Sequence, residues 1–361
     1  LVSYSVFSIK RISICIFASL KGDLQMHKEK YVFSQLVSFL DRNKFNYIVR
    51  KYDGDKYVKH FTCWNQLLAL MFGQLSNRES LRDLIVALEA HHSKCYHLGM
   101  GKNVSKSSLA RANQDRDYHI FEEYAYYLVS EARQKRVNHI FKLGGNVYAF
   151  DSTTIDLCLS VFWWAKFRKK KGGIKVHTLY DVETQIPAFF HITEASVHDS
   201  KAMIEIPYEP GSYYIFDRGY NNFKMLNRIH LIEAYFVVRA KKNLQCKFIK
   251  WKRRLPKNVL SDASVLLTGF YPKQYYPEPI RLVKYWDEEQ EREFIFITNA
   301  MHISALQVAE LYKNRWQVEL FFKWLKQHLR IKRFWGTTEN AVRIQIYAAI
   351  CTYCLVAIIQ H

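Results

Sequence analysis

Acidic residues are scarce in this sequence compared with basic residues. Asp and Glu together number 33, whereas Lys and Arg number 53, so the formal net charge is +20 over 361 residues. An excess of this size, spread over many segments, indicates a polyanionic partner. We therefore expect the protein to bind DNA or RNA rather than a membrane surface.

A pattern of paired cysteines is also lacking. The seven cysteines are scattered, and only Cys351 and Cys354 lie close together. No second pair of ligands accompanies them in the sequence, which argues against a zinc site. An odd number of cysteines without a framework is typical of a reducing compartment, so the expected location is the cytoplasm, in association with the nucleoid.

The first part of the sequence, residues 1–25, is apolar in character but lacks an apolar segment of membrane-spanning length. Lys10 and Arg11 divide it into pieces too short to span a bilayer, and no small-residue cleavage site follows. We interpret residues 1–25 as an upstream extension of the reading frame, with a signal peptide as the weaker alternative. We expect no membrane as a partner.

Hydrophobic residues make up 49% and aromatic residues 16% of the sequence, which indicates a globular protein. The length is too great for one ordinary core and predicts two or three domains. From residue 26 to residue 143, apolar residues recur at three- and four-residue intervals. This spacing predicts an all-α N-terminal domain.

One segment of residues 26–143 resembles the second helix of a helix-turn-helix, which reads the major groove of DNA. Its polar and basic residues suit contacts with bases and phosphates. They are Ser105, Lys106, Ser107, Arg111, Asn113 and Arg116. We therefore predict a helical DNA-binding domain over residues 26–143. The alternative is that this segment is an ordinary polar surface helix, which many helical hairpins carry.

The pattern changes at residue 144 and predicts a mixed α/β domain over residues 144–361. Two β-prone apolar runs each end in an acid, at Asp151 and at Asp217. Residues 240–300 alternate strand-like runs with proline-rich loops, which predicts a β-rich insertion. Residues 341–360 form an almost wholly apolar helix, which we expect to be buried within the protein.

The segment from Tyr312 to Lys326 contains no Pro or Gly and is too long for a strand. At about 100° per residue, Tyr312, Arg315, Glu319 and Lys326 lie on one face of a helix. A separate apolar stripe would anchor the helix in a core. Taken alone, this pattern is also typical of an amphipathic surface helix.

Three acids on separate elements make a metal site the better interpretation. Asp151 and Asp217 lie at strand ends, where ligands bind at the edge of a sheet, and Glu319 lies on the charged helix face. Each acid alone has an ordinary interpretation as a turn or cap residue. Together they provide the oxygen ligands that Mg²⁺ prefers, and such a set can hold two ions roughly 3.5–4 Å apart.

The sequence resembles the DDE transposases of the bacterial family named for insertion sequence four. The Tyr-x₂-Arg-x₃-Glu-x₆-Lys signature of that family matches Tyr312, Arg315, Glu319 and Lys326, and its Asp-x-Gly-Tyr pattern matches at Asp217. The resemblance covers residues 26–361. It implies an α/β fold with a ribonuclease-H-like catalytic core, interrupted by a β-rich insertion and preceded by the all-α N-terminal domain.

The resemblance also implies a function. The protein would be a DNA transposase that catalyses cut-and-paste transposition, by strand cleavage at the element ends and then 3′-hydroxyl attack. Asp151, Asp217 and Glu319 would hold two Mg²⁺ ions, for which Mn²⁺ is expected to substitute. The partners would be double-stranded DNA, as terminal inverted repeats and target, and a second copy of the chain in a homodimer.

Roles of individual residues follow from the same resemblance. Tyr312, Arg315 and Lys326 would bind phosphates near the cleaved end. Trp316 would stack on a flipped base, and the alternative for it is an ordinary core or surface aromatic. Independently of the resemblance, the two basic runs Lys166–Lys175 and Arg239–Arg254 flank the acids and are expected to contact the DNA backbone; the alternative is an ordinary solvated surface. Two alternatives remain: a nuclease that only cuts, and a catalytically inactive DNA-binding relic that represses its element.

Overall fold

The structure is a computed structural model, and it describes most of the chain. The described residues are 32–91, 95, 100, 104–136, 141, 143–168, 171–328 and 334–360. The expected upstream extension, residues 1–25, lies outside them. The chain forms two compact units, each built from separate segments. The first comprises Leu1–Arg136, Ile155–Gly172 and Phe321–His361, and the second comprises Val137–Thr154 and Gly173–Leu320.

The N-terminal part of the first unit is helical, as predicted. Its helices are α1 (Val32–Val37), α2 (Arg42–Lys51), α3 (Cys63–Leu75), α4 (Leu81–Ala90), α5 (Lys106–Asp115) and α6 (His119–Lys135). Four of them begin at a polar N-cap whose side chain accepts a backbone N–H three residues ahead. These caps are Asp41, Thr62, Ser80 and Ser105. Each cap satisfies one backbone donor that the first helical turn leaves without a partner.

The last helix, α12 (Glu339–Ile359), packs against α3, α5 and α6 in the first unit. It is apolar and long enough to cross a membrane by length and composition, but 89% of its most apolar window is buried within the protein. Tyr347 donates a hydrogen bond to Glu122 of α6. A helix that is apolar on all sides is stable in the core of a protein, and α12 is the core helix of this unit.

The second unit is organised around one mixed sheet. Its strands are β1 (Val147–Leu157), β3 (Lys171–Asp181), β4 (Ile186–Glu194), β5 (Tyr213–Phe216), β6 (Tyr235–Arg239), β7 (Cys246–Trp251), β8 (Val259–Leu267), β9 (Ile280–Asp287) and β10 (Arg292–Thr298). A short strand, β2 (Lys166–Arg168), pairs with the beginning of β3. The strand order is β3-β1-β5-β6-β10-β9-β8-β7, and β4 pairs with β3.

Parallel pairing occurs at the centre of this sheet, where β5 pairs with β1 on one side and with β6 on the other. The residues Tyr213–Phe216 of β5 are all buried, as expected for a strand covered on both faces. One face packs against α8 (Phe223–Leu231), and the other packs against α10 (Ala305–Asn314). Helix α7 (Asp199–Ala202) is a single turn after β4.

The predicted β-rich segment, residues 240–300, contains β7, β8, α9 (Phe270–Tyr275), β9 and β10. Its strands continue the central sheet, because β10 pairs antiparallel with β6. The sequence pattern did not predict β8, whose Asp262 interrupts the apolar alternation. The Asp262 side chain is buried and is paired with Arg281 of the neighbouring β9, a partner that the local sequence does not reveal.

The predicted helix around Glu319 is divided in two at Arg315. Helix α10 ends at Asn314, and α11 (Trp316–His328) begins one residue after Arg315. The backbone N–H groups of Arg315 and Val318 bond to carbonyl groups three residues earlier rather than four. A tightened turn of this 3₁₀ type within a helical segment often marks a hinge or local strain.

Candidate active site

The two acids predicted at strand ends lie side by side on the sheet. Asp217 directly follows β5, as predicted, whereas the prediction was wrong for Asp151, because β1 continues beyond it to Leu157. Phe150 of β1 pairs with Phe216 of β5, so Asp151 and Asp217 are the next residues on neighbouring parallel strands. Neighbouring strands lie about 5 Å apart, and residues at the same level point to the same face. The side chains of Phe150 and Phe216 are buried in the core, and the two acids point to the opposite face.

The same register places a basic residue beside the acids. Phe216 of β5 pairs with Val238 of β6, so Arg239 follows at the level of Asp217. Its guanidinium lies 4.8 Å from the centre of the Phe294 ring, and its Nε has no hydrogen-bond partner. From the sequence we predicted Arg239 only as the first residue of the basic run Arg239–Arg254, not as a neighbour of the acids, although its place at the end of a parallel strand is the same signal that identified Asp217.

Helix α10 and the turn that follows it bring the third acid to this face. The hydroxyl of Tyr312 donates a 2.8 Å hydrogen bond to Oδ1 of Asp217. The guanidinium of Arg315 donates to Oδ2 of Asp151 and to Oε1 of Glu319, each at 2.5 Å. Arg315 thus joins two of the predicted acids, one from the sheet and one from the helix.

The two neighbouring acids have pKa values shifted in opposite directions. Burial raises the pKa of Asp151 to about 6, although Arg315 and the backbone N–H of Ser152 oppose that shift. Burial also acts against ionisation of Asp217, but hydrogen bonds from the Arg218 backbone and Tyr312 outweigh it and lower the Asp217 pKa. Burial, with the nearby charge of Asp217, raises the pKa of Tyr312 to about 12, so its hydroxyl remains a donor.

The described residues contain no group of three or more His, Cys, Asp or Glu side chains spaced to hold a metal ion. The donor chemistry at the three acids nevertheless suits Mg²⁺, which takes hard oxygen ligands. Arg315 at present supplies the counter-charge for Asp151 and Glu319, whose side chains are 20% and 32% exposed. Solvent, and with it an ion, therefore has access to these carboxylates.

The signature helix carries two further predicted residues. The Trp316 side chain is exposed, next to Arg315 at the beginning of α11, and its stacking role stays a prediction. Lys326 lies further along α11, in the segment assigned to the first unit, and is partly buried. Its phosphate contact also stays a prediction.

The predicted reading helix corresponds to α5 with its N-cap Ser105. Ser105, Lys106, Ser107 and Arg111 are exposed. Asn113 is buried, and its Oδ1 accepts a hydrogen bond from Gln66. Arg116 donates to Gln66 and to the carbonyl of Phe61, so the arrangement leaves four of the six residues available to DNA.

The predicted basic runs also differ in availability. Of the described side chains in Arg239–Arg254, Lys247, Lys250 and Trp251 are exposed on β7, at the edge of the sheet. At the end of the other run, Lys175 is largely buried, and its Nζ pairs with Asp199 at 3.0 Å. Lys169 and Lys170 lie outside the described residues.

Two family models match the chain. The model described as "Transposase DDE domain" matches residues 142–355, a segment that contains all the acids of the cluster. The model described as "Domain of unknown function (DUF4372)" matches residues 28–101. The first match covers more than half of the chain.

Similar curated proteins are also named as transposases. A protein of Sinorhizobium fredii named "Putative transposase y4zB" is 37% identical over 58% of this chain and 59% of its own length. The "Probable transposase for insertion sequence element IS5377" of Geobacillus stearothermophilus is 27% identical over 69% of this chain and 66% of its own length.

The "Putative transposase for insertion sequence element IS4SA" of Synechocystis is 26% identical over 72% of this chain and 73% of its own length. The chain thus spans between 59% and 73% of the lengths of these three relatives.

Proposed function

Because the chain belongs to the family of proteins that carry the transposase DDE domain, we propose that it is the DNA transposase of an insertion sequence. The observation that carries the proposal is that Arg315 joins Asp151 to Glu319, while Asp217 lies beside Asp151 at the same level of the sheet. In the proposed reaction the protein cleaves DNA strands at the element ends. It then joins the resulting 3′-hydroxyl groups to target DNA.

The proposed core is ribonuclease-H-like. Its support is the strand arrangement β4-β3-β1-β5-β6, in which Asp151 within β1 and Asp217 just after β5 lie at the same level of neighbouring parallel strands. The strands β7 to β10 would be the β-rich insertion, and the helices of residues 26–143 the DNA-binding domain. A homodimer would hold both element ends and the target.

Asp151, Asp217 and Glu319 would hold two Mg²⁺ ions, with Mn²⁺ as a substitute. Bound there, the ions would activate the attacking hydroxyl and stabilise the leaving oxygen of an in-line displacement. Tyr312 keeps Asp217 ionised through its hydrogen bond, which favours the ligand form of that carboxylate.

Phosphate binding is assigned to the cations of the same face. Arg315 would exchange its two carboxylate partners for a phosphate once those carboxylates gain another counter-charge, since its planar fork suits either anion. Arg239 would bind phosphate beside it, because it lies at the level of Asp217 on the neighbouring strand, its charge lowers the pKa of Asp217, and it has no ion pair among the described residues. Lys326 and Trp316 keep the phosphate and base-stacking roles predicted from the signature.

The central experiment measures cleavage of a duplex that carries the element's end, with Mg²⁺ and with EDTA. Glu319→Gln should lower cleavage by at least about 10³-fold, because it removes a metal ligand, while binding to the duplex is retained. The matched control is Glu310→Gln, an exposed acid on α10 that should cleave like the wild type. Unchanged cleavage by Glu319→Gln would refute the assignment.

The same assay separates the alternatives. Nicked ends without any strand-transfer product would identify a nuclease that only cuts. Binding to the ends without Mg²⁺-dependent cleavage by the wild type would identify an inactive DNA-binding relic. Arg111→Ala on the exposed face of α5 should weaken duplex binding and its salt dependence, whereas Arg82→Ala on α4 should not.

A further inference from the structure

A continuous chain of polar contacts lies behind Asp151. Lys175 of β3 pairs through Nζ with Oδ1 of Asp199 at 3.0 Å and donates to the carbonyl of Val197 at 2.8 Å. The hydroxyl of Ser152 donates to the same oxygen of Asp199 at 2.8 Å. The backbone N–H of Ser152 donates to Oδ1 of Asp151, also at 2.8 Å. Hydrogen bonds thus connect β3 and α7 to the carboxylate of Asp151 on β1.

The chain is held from several sides. The Lys175 side chain is 13% exposed and is fixed by its two partners. Tyr220 is buried, and its hydroxyl lies near Asp151 and Asp199 without a hydrogen bond of normal geometry. The Asp199 side chain is 35% exposed, but its Oδ1 is held by both Lys175 and the Ser152 hydroxyl, and through that oxygen it restrains the Ser152 side chain.

The two oxygens of Asp151 have different partners. Arg315 bonds to Oδ2, and the Ser152 backbone bonds to Oδ1. In the proposed function Arg315 turns to phosphate, which leaves the Ser152 N–H as the fixed contact of this carboxylate. Groups that orient a metal ligand in this way typically change metal affinity or activity by 10–100-fold when they are removed.

We propose that Lys175 and Asp199 are positioning residues of the active site. They hold Ser152, and through its backbone N–H the Asp151 carboxylate, in the orientation that a divalent cation requires. This inference rests on the proposed function, because it concerns the cation site assigned there. The pair does not touch the DNA or the cation itself, and its effect passes through Ser152.

The test is Mn²⁺ binding to the DNA-free full chain, measured by electron paramagnetic resonance, with thermal denaturation recorded for each variant. Asp199→Asn and Ser152→Ala should each weaken Mn²⁺ binding about 10- to 100-fold. Ser152→Thr, which keeps the hydroxyl, should restore it. The double variant should bind no more weakly than the worse single variant, because both changes break one chain of contacts. Glu205→Gln, an exposed acid just after α7, is the matched control.

The outcomes are distinct. Unchanged Mn²⁺ affinity in Asp199→Asn and Ser152→Ala would refute the positioning role, whatever their melting temperatures. Weakened binding that Ser152→Thr does not restore would also refute it. If the wild type binds no Mn²⁺, or if Asp151→Asn binds it as the wild type does, the assigned cation site fails and this inference fails with it.

Discussion

The phenol of Tyr312 and the carboxylate of Asp217 are joined by a 2.8 Å hydrogen bond, which connects α10 to the end of β5. The Tyr312 ring is fixed by Phe296, 4.8 Å away between ring centres, so the hydroxyl is held in place. The bond therefore fixes the position of a helix residue relative to the acid of the sheet.

Tyr312→Phe should remove that bond and keep the ring packing. Hydrogen bonds to charged groups contribute about 1.5–3 kcal/mol, so the free energy of unfolding should fall by about that amount. Chemical denaturation measures the change. Tyr271→Phe, an exposed tyrosine on α9, is the control and should leave the unfolding midpoint where it was. Equal stability of the two variants would contradict the prediction.

Arg315→Met should make the protein more dependent on divalent cations. Without the guanidinium, Asp151 and Glu319 lose their counter-charge and repel each other. The melting temperature in EDTA should fall, and the rise on adding Mn²⁺ should be larger than in the wild type, because a bound cation stabilises the folded state.

Arg315→Lys should not restore cleavage, since an ammonium cannot replace the two-pronged guanidinium. The control for both variants is Lys313→Met. Lys313 lies two residues before Arg315 and forms an exposed ion pair with Glu289. A smaller Mn²⁺ response in Arg315→Met than in the wild type would contradict the competition between guanidinium and metal.

His177 of β3 should make folding sensitive to acid. Burial lowers its pKa to about 4; His191 and Lys175 add to the shift, and Asp199 opposes it. Its Nε2 shares a 3.0 Å hydrogen bond with Thr193, and its buried Nδ1 has no partner. The unfolded chain binds a proton at this histidine near pH 6.5, whereas the folded chain does so only near pH 4.

Between pH 6.5 and 4 the proton therefore binds His177 in the unfolded chain but not in the folded one. The folded protein has its full stability above pH 6.5 and loses stability as the pH falls towards 4. The free energy of unfolding lost through His177 by pH 4 is about 3 kcal/mol. Unfolding measured at a series of pH values should show a shallower slope between pH 6.5 and 4 for His177→Gln than for the wild type. His60→Gln, at an exposed histidine, should reproduce the wild-type slope.

The buried pair of Arg281 and Asp262 should dominate the stability of the β8–β9 region. Arg281 bonds to both carboxylate oxygens at 2.8 Å and donates to the carbonyl groups of Ala300 and Ile303. Arg281→Met leaves the two carbonyl groups without this donor and leaves the buried Asp262 with Lys252, 3.0 Å away, as its remaining cation. Breaking a buried pair in this way should cost about 3 kcal/mol of unfolding free energy.

Replacing both partners, as Arg281→Met with Asp262→Leu, should recover part of that loss, because no buried charge remains unpaired. Lys257→Met, which breaks an exposed pair with Glu288, should change the stability little. A double variant less stable than Arg281→Met alone would contradict this account.

The sequence was sufficient to predict the elements that carry the acids. Asp151 and Asp217 follow apolar β-prone runs, and Glu319 lies on a helix with an apolar stripe; both patterns depend only on neighbouring residues. Arg239 was predicted as part of a basic run, but its place beside Asp217 was not, because that depends on the register between β5 and β6, which no local pattern contains.

Partners distant in the sequence explain the other differences. Asn113 and Arg116 have the polar character of DNA-reading residues, but both bond to Gln66, which lies about fifty residues earlier. The break at Arg315 accompanies its bond to Asp151, 164 residues away. A residue's chemistry can be read from the sequence, whereas its partner depends on the tertiary fold.

The register of β1, β5 and β6 has a consequence for how this site can evolve. The spacing of Asp151, Asp217 and Arg239 is set by main-chain hydrogen bonds between strands, not by the shapes of the side chains beneath them. Substitutions among those apolar side chains can therefore accumulate without moving the charged groups. Related chains can diverge widely in their interiors and still present the same three charges at the same separation.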